Sequence, residues 1–128
     1  MFHEIKTKKD IKLFLEKTNE LHDGYIINVQ YTHQGISKTE NGHHFNPQKT
    51  KLTLQILVTS IWDAVVEIEF ESLLEWQIKD NLWDITGSSV RFYKQNWIVW
   101  SDNDCVSMEE VKKGSYAIAE SMKWRIVE

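Results

Sequence analysis

The chain has 128 residues, of which 41% are hydrophobic and 27% are charged, and its formal net charge is -4. This length and mixture are typical of one globular domain over residues 1–128, and they exclude a disordered or fibrous chain. No apolar run approaches the roughly 18 residues that a membrane span needs. Because charged residues interrupt every apolar stretch of residues 1–17, we expect no export signal and no membrane partner. Cys105 has no second cysteine to pair with, so we expect a reducing, cytoplasmic location.

The negative charge is concentrated in one stretch of the sequence. Residues 63–84 contain seven acidic residues and one basic residue. A nucleic-acid-binding protein normally presents a basic stripe that displaces counterions from phosphates. This sequence has no such cluster of Lys and Arg, so nucleic acid is not expected as a partner. Glycine-rich phosphate loops and the common hydrolase and zinc motifs are also absent from the sequence, so no cofactor is predicted.

In chain order, the first predicted element is a helix over residues 10–21. Its apolar residues follow the i, i+3, i+4 spacing of an amphipathic helix: Ile11, Phe14, Leu15 and, more weakly, Thr18. A helix this short is unstable alone, so its apolar face must dock on the rest of the domain. Gly24 tolerates the backbone conformation that ends a helix, so the helix is expected to stop at residues 22–24.

The hydrophobic period then changes to two, which marks a half-buried strand. Three strands are predicted on this ground, over residues 25–32, 51–58 and 64–71. The side chains expected to face inward in these strands are Tyr25, Ile27, Val29, Tyr31, Leu52, Leu54, Ile56, Val58, Val66, Ile68 and Phe70.

The polar residues 33–50 separate the first two of these strands. Asn41-Gly42 suits a type I′ turn, so the two strands are expected to extend toward each other as a long hairpin tip. Pro47 would then lie at a bulge or at a sheet edge.

The second half of the chain also predicts strands. Residues 73–79 fit either a strand or a helix, and we favour a strand followed by a loop. Residues 88–102 are typical of a β-hairpin that turns at residues 94–96. Residues 115–127 alternate with period two and predict a final strand, with a helix as the weaker alternative.

Together these elements predict an α+β domain. It has an N-terminal amphipathic helix followed by a curled, mainly antiparallel sheet of six or seven strands. The helix is expected to cover one face or one end of the sheet.

Three short motifs lie along this order of elements. The helix leads into Leu21-His22-Asp23-Gly24, the hairpin ends in Trp100-Ser101-Asp102-Asn103-Asp104, and the last strand contains Met122-Lys123-Trp124-Arg125. These motifs resemble those of a group of small uncharacterised bacterial proteins, which usually read Phe-His-Asp-Ser, Tyr-Trp-Ala-Asp-Asp and Leu-Lys-Trp-Arg. The resemblance implies a shared fold and a bacterial cytoplasmic location, and it implies no particular activity.

His22 and Asp23 are the first candidate site. A carboxylate beside an imidazole can tune it as a general base near neutral pH. The structural alternative is that His22 ends the helix while Asp23 accepts hydrogen bonds from turn amides. No catalytic residue is therefore assigned, and these two residues are kept as candidates.

Asp102 and Asp104 follow Trp100 at the end of the predicted hairpin. Their carboxylates are suited to bind a hard cation, or to hold an amine-bearing ligand against the indole ring. The alternative is a polar turn at a strand end. Cys105 is not expected to be a nucleophile, because the neighbouring carboxylates disfavour a thiolate.

His33, His43 and His44 are candidate metal ligands near the hairpin tip. Adjacent residues of a strand point to opposite faces, so His43 and His44 are poorly placed to share one ion. No metal is predicted from them.

The acidic row is formed by Glu67, Glu69 and Glu71 on the outward face of one predicted strand. Like charges on a strand are tolerated when basic side chains oppose them on neighbouring strands. We expect Lys123, Arg125 or Arg91 to lie opposite the row. If the row were unpaired, it would form a docking surface for a basic partner.

Fifteen residues are aromatic, six of them Trp. Tyr25, Tyr31, Phe70, Phe92 and Trp124 fall on predicted inward faces and are expected in the core. Trp97 and Trp100 lie on opposite faces of one short strand, so at least one ring must cover the far side of the sheet or meet a partner.

These observations predict a small binding or protein-interaction module without catalysis, whose partner is another protein or a second copy of the chain. Small bacterial proteins with acidic faces include immunity-like and antitoxin-like proteins, which neutralise a basic enzyme. Its predicted binding residues are Trp97, Trp100, Asp102, Asp104, Glu67, Glu69 and Glu71. One alternative is a hydrolase or metal-assisted enzyme that joins His22 and Asp23 to Asp102 and Asp104. Another is a small-ligand pocket lined by Trp76, Trp83, Trp97 and Trp100.

Overall fold

The computed structural model of the chain describes residues 1–79, 84–104 and 107–127. Within these ranges the α-helices are α1 at Lys8–Lys17 and α2 at Met108–Val111. The strands are β1 His3–Glu4, β2 Gly24–His33, β3 Ile36–Thr39, β4 Gly42–Phe45, β5 Thr50–Val58, β6 Ala64–Gln77, β7 Ser89–Tyr93, β8 Trp97–Ser101 and β9 Tyr116–Val127. Short 3₁₀ turns lie at Asn19–Leu21, Pro47–Lys49 and Thr59–Ile61.

Seven strands form one antiparallel sheet. Six of them follow the order β2-β5-β6-β9-β8-β7, and β1 pairs with the last part of β9. Strands β3 and β4 form a separate two-stranded ribbon. The prediction of an α+β domain with a mainly antiparallel sheet is confirmed. The sheet is not strongly curled, so the predicted curl is not confirmed.

Helix α1 begins at a capping box. The hydroxyl of Thr7 accepts a hydrogen bond from the Asp10 amide at 3.2 Å, and the Asp10 carboxylate accepts one from the Thr7 amide at 2.8 Å. The helix buries Phe14, whose ring lies 5.4 Å from that of Trp124, measured between centroids. The helix ends at Lys17, earlier than the predicted residue 21, because the residues that follow have positive φ angles.

The main core lies between α1 and one face of the sheet. The burial of β5 alternates strictly, whereas in β6 the paired Glu67 is buried together with the apolar Val66, Ile68 and Phe70. The predicted inward side chains of both strands are buried: Leu52, Leu54, Ile56, Val58, Val66, Ile68 and Phe70. On the other face of β8 and β9, a smaller cluster packs beneath α2, formed by Val99, Val111, Tyr116 and Ile118.

Strand β6 is longer than the sequence predicts. Residues 64–71 and 73–79 were expected as separate strands, but one continuous strand runs from Ala64 to Gln77. Ser72 has a φ of 61°, and the register against β9 shifts between Leu73 and Glu75. Such a bulge re-aims the side chains without ending the strand. The last segment is strand β9, as predicted, and not the helical alternative.

The core assignment is wrong for three of the five aromatic residues expected there. Phe70 and Trp124 are buried, but Tyr25, Tyr31 and Phe92 are 46%, 43% and 39% exposed. The exposed residues lie on β2 and β7, which are the two edge strands of the sheet. Tyr31 and Phe92 have a neighbouring strand on one side only, so a period of two does not by itself bury them. Tyr25 instead pairs with Leu57 on the outer face, because the register shifts between Ile26 and Asn28.

The predicted hairpin tip is present as the β3–β4 ribbon. Thr39 pairs with Gly42, so the two-residue loop is Glu40-Asn41, one position earlier than predicted. Gly42 has a φ of 117°. Pro47 begins the 3₁₀ turn between the ribbon and β5, and not a bulge. In the described parts of the chain, the helices are too short or too polar to cross a membrane.

Candidate functional site

Two turns meet at one end of the sheet, and we call this region the turn end. It consists of residues 19–23, between α1 and β2, and residues 59–63, between β5 and β6. The Ser60 hydroxyl donates to the carbonyl of His22 at 2.5 Å, and the Asn19 side chain donates to the Ser60 hydroxyl at 3.1 Å. The amide and hydroxyl of Thr59 both donate to the carbonyl of Asp23, at 3.2 and 3.0 Å. These hydrogen bonds fix the two turns against each other.

The turn end concentrates left-handed backbone conformations. Eight non-glycine residues in the described ranges have positive φ, and six of them lie here. They are Asn19, Glu20, Leu21, Asp23, Trp62 and Asp63, with φ between 52° and 63°. Each such residue costs about 1 kcal/mol or more, and such residues persist where the surroundings hold them and are often functional. The hydrogen bonds between the turns, and the full burial of Leu21, supply that restraint.

Trp62 is the most exposed large hydrophobic residue of the turn end. Its relative exposure is 97%, and its φ is 63°. Neighbouring Ile61 packs partly against the main core, so the turn itself is anchored. An aromatic residue whose backbone is strained and whose ring lies in solvent adds no stability to the isolated fold. The two turns also contain the carboxylates Glu20, Asp23 and Asp63 and no Lys or Arg.

His22 and Asp23, the predicted catalytic candidates, belong to the turn end. Nδ1 of His22 lies 2.6 Å from the carbonyl oxygen of Thr86, and Nε2 lies 3.6 Å from the Asp23 carboxylate. The Thr86 carbonyl, followed by Asp23, raises the pKa of His22. A general base must be neutral to accept a proton. Because both ring nitrogens face acceptors, this arrangement favours a protonated, positioned imidazole.

The acidic row is paired, as expected. Arg125 Nε lies 2.7 Å from the Glu67 carboxylate, and Lys123 Nζ lies 3.3 Å from Glu69 and 3.7 Å from Glu71. The prediction that a basic residue opposes the row is therefore confirmed. Lys51 adds a fourth ion pair, 3.2 Å from Glu69. The premise for a docking role, an unpaired row, is not met, so a binding role for these residues stays a prediction.

Asp102 lines a cavity of about 290 Å³ that opens beside the turn end. Its other walls come from the start of β2, the residues after β6, the segment before β7, and Ser115. The apolar side chains of this lining are Ile26, Val29, Ile78 and Ile85. Burial raises the pKa of Asp102, while hydrogen bonds from Ser115 act in the opposite direction. One Asp102 oxygen, Oδ1, is buried and accepts no hydrogen bond from the described residues.

The enzyme alternative requires two pairs of residues to converge. Gly24, next to Asp23, pairs with Ile85, and both residues line the cavity with Asp102. Neither His22 nor Asp23 lines the cavity itself, and the exposed Asp104 does not line it either. The segment from Asp84 to Ser89 lies between the two motifs along the chain, and its residue Ser89 donates to the carbonyl of Asn103 at 2.8 Å.

Among the tryptophans that the structure describes, Trp76, Trp97 and Trp100 do not line one common pocket. Trp100 is fully buried near Phe70, whereas Trp97 packs partly buried in the cluster beneath α2, so it covers the far side of the sheet. Trp76 stacks on Tyr31 at 5.3 Å. Trp83 and Cys105 lie outside the described residues.

The three candidate metal ligands near the hairpin tip make other contacts. His33 accepts a hydrogen bond from the Gly35 amide at 3.1 Å, and His44 lies 2.8 Å from the Thr39 hydroxyl. Lys38 is the strand partner of His43. Within residues 1–79, 84–104 and 107–127, no three His, Cys, Asp or Glu side chains are grouped to hold a metal ion.

No protein-family model matches this chain, and no curated protein or solved structure matches it either. The motif resemblance therefore stays a prediction.

Sequence reasoning missed Trp62. A signal for it was present, because the segment Ser60-Ile61-Trp62-Asp63 joins two secure strands and has two large apolar residues between its turn-forming Ser and Asp. A large aromatic residue in such a turn is an exception that points to a role outside the fold.

Proposed function

We propose that this protein is a cytosolic protein-binding module without catalysis, and that it docks its partner through the turn end. The observation that carries this proposal is Trp62, 97% exposed on a left-handed backbone that the neighbouring turn holds in place. Binding hot spots are enriched in Trp, and a preorganised anchor reduces the entropy lost on association. In this proposal the predicted amphipathic helix, α1, has a structural role and supports the domain.

The charge of the turn end indicates the chemistry of the partner. Glu20, Asp23 and Asp63 belong to the same two turns as the anchor, and the acidic row is neutralised elsewhere by Lys and Arg. An indole face attracts Arg or Lys, and nearby carboxylates strengthen that preference. The partner is therefore a protein with a basic surface, as expected for an immunity-like or antitoxin-like role.

The test replaces Trp62 with glycine. Because the side chain packs on almost nothing and glycine accepts a positive φ, Trp62→Gly should stabilise the isolated protein by about 1 kcal/mol. The same substitution should weaken partner binding by roughly 30-fold or more. Affinity capture from the native host with wild-type and Trp62→Gly baits, followed by quantitative mass spectrometry, identifies the protein that only the wild type retains. Chemical unfolding gives the stability.

Phe45→Ala is the matched control, because Phe45 is an aromatic residue that is 65% exposed and lies in the β3–β4 ribbon, away from the turn end. It should retain the same partner. If both variants keep every stoichiometric partner, or if the captured protein is acidic at its contact surface, this proposal is wrong.

A second candidate function is the binding of a small amine in the Asp102 cavity. The specific observation is a cavity of suitable size in which two carboxylates, Asp84 and Asp102, outnumber the one cation, Lys79, and in which Ile26, Val29, Ile78 and Ile85 supply the apolar walls. Calorimetry with 3-methylbutylamine, the matching alcohol and the matching acid should detect the amine alone. Asp102→Asn should weaken its binding about tenfold or more, whereas Asp104→Asn should leave it unchanged. Equal binding of all three compounds would eliminate this candidate.

A further inference from the structure

Strand β2 is an unusual edge strand. It pairs with β5 on one side, and among the described residues its other side carries a single bridge, between Gly24 and Ile85. The strand has ten residues and contains no Asp, Glu, Lys or Arg. Natural proteins usually protect an edge with charge, proline, short length or a covering element.

The opposite edge of the sheet shows that protection. Strand β7 has five residues, carries Arg91 at its centre and lies beside α1. In the described part of the chain, strand β2 has one device of this kind along its length, the bulge between Ile26 and Asn28. Beyond the bulge, Asn28 to His33 pair with β5 in unbroken register, so six regular residues present their outer backbone groups.

We propose that β2 pairs antiparallel with β2 of a second copy of this chain, so that the two sheets continue into one. The two copies would be related by a two-fold axis perpendicular to the sheet. The core-facing sides of the two sheets then lie on the same side of the continued sheet, and Gln30 lies opposite Gln30 of the second copy. In this register Val29 opposes Tyr31 on the core side, and Asn28 opposes Thr32 on the outer side.

The sequence of β2 fits this register. The core-side pairs join a β-branched residue to an aromatic one, which is a favourable cross-strand combination. The outer-side pairs are polar on both strands. Val29 and Tyr31 are 38% and 43% exposed, so the pairing would cover apolar surface on both copies. No charged residue opposes another, so the net charge of -4 does not repel the strands locally.

Disulfide trapping tests the register directly. In a Cys105→Ser background, Gln30→Cys places two thiols on directly opposed residues, whose Cα atoms are within the range a disulfide bridges. It should form a covalent dimer under mild oxidation. Asn28→Cys is the matched control, because its two copies would lie four residues apart along the strands, about 13 Å, and should remain monomeric.

Analytical ultracentrifugation of the wild-type chain should show a dimer. Gln30→Lys, which opposes two like charges, should weaken that dimer roughly tenfold while leaving the circular dichroism spectrum unchanged. A wild-type monomer at every concentration, an unchanged dimer in Gln30→Lys, or equal trapping at positions 28 and 30 would each overturn the proposal. Because it does not involve Trp62, its failure leaves the proposed docking at the turn end untouched.

Discussion

The acidic row and the turn end both carry carboxylates, but they use them in opposite ways. The side chains of Glu67 and Glu69 are only 11% and 12% exposed, and each is met by a cation from a neighbouring strand. At the turn end the nearest cation-forming group is His22, and the Trp62 ring stands in solvent. The comparison teaches that density of charge in a sequence does not locate unpaired charge on the folded surface.

The difference arises from secondary structure. In the sheet, register places Glu67 beside Arg125 and Glu69 beside Lys123, so pairing follows automatically from strand alternation. Phe2 then lies over both basic groups, 4.6 Å from the Arg125 guanidinium and 5.0 Å from the Lys123 ammonium. Turns have no neighbouring strand to supply such partners, so their charges face outward.

Removing one partner of the acidic row should have the largest effect on stability. Arg125→Ala leaves the nearly buried Glu67 with only the Gln55 amide, 3.2 Å away. Because Arg125 is itself 40% exposed, we expect a loss of about 2 kcal/mol, below the full cost of breaking a buried pair. Lys51→Ala is the control and should cost less than about 1 kcal/mol, since Glu69 keeps Lys123. Urea denaturation measures the free energy of unfolding of both variants. Equal losses would contradict the larger contribution expected from Arg125.

A substitution by glycine at the turn end should increase the stability of the protein, in contrast to the loss expected for Arg125→Ala. Glu20 is exposed with a φ of 56°, so Glu20→Gly should stabilise the protein by up to about 1 kcal/mol. Glu16→Gly, an exposed position inside α1, should destabilise it by about 1 kcal/mol. Thermal unfolding of the two variants compares them. Loss of stability in both would mean that the turn is not strained.

The pKa of His22 gives a further test of the turn end. Its pKa is raised above the ordinary 6.5, first by the Thr86 carbonyl and then by Asp23. A raised pKa means that His22 contributes stability below pH 6.5, and that this contribution is lost as the pH rises through the folded-state pKa. NMR titration should show the shift, and Asp23→Asn should reduce it without abolishing it. An unshifted His22 would contradict the Thr86 contact.

The smallest expected effect concerns the hydrogen-bonded pair of Tyr116 and Glu75. Tyr116 donates a hydrogen bond to Glu75, and burial, together with that bond, raises the pKa of Tyr116 to about 12. Absorbance titration at 295 nm should therefore show one tyrosine ionising near that pH, and Tyr116→Phe should remove it. If Tyr116 ionised near 10, the burial of this pair would be refuted.

Sequence patterns predicted the strands of this fold well where both neighbours in the sheet were present. Every second residue from Leu52 to Val58 and from Val66 to Phe70 is buried as expected, because central strands convert a period of two directly into burial. The same reasoning failed for Tyr31, whose strand lies at an edge, and for Tyr25, which a bulge in that strand places on the outer face. For the site, the pairing of the acidic row was predicted, whereas the exposure of Trp62 was not.

The sequence by itself determined the fold class, the outward face of the acidic row and its basic partners, since all three follow from local periodicity and side-chain type. Tertiary structure alone decided which strands are edges, where the two turns meet and which aromatic rings stay in solvent. Those features depend on contacts between residues about 40 positions apart, such as Asn19 with Ser60, and local periodicity carries no information about such pairs. The turn end and the β2 edge therefore became visible only after the chain had been folded.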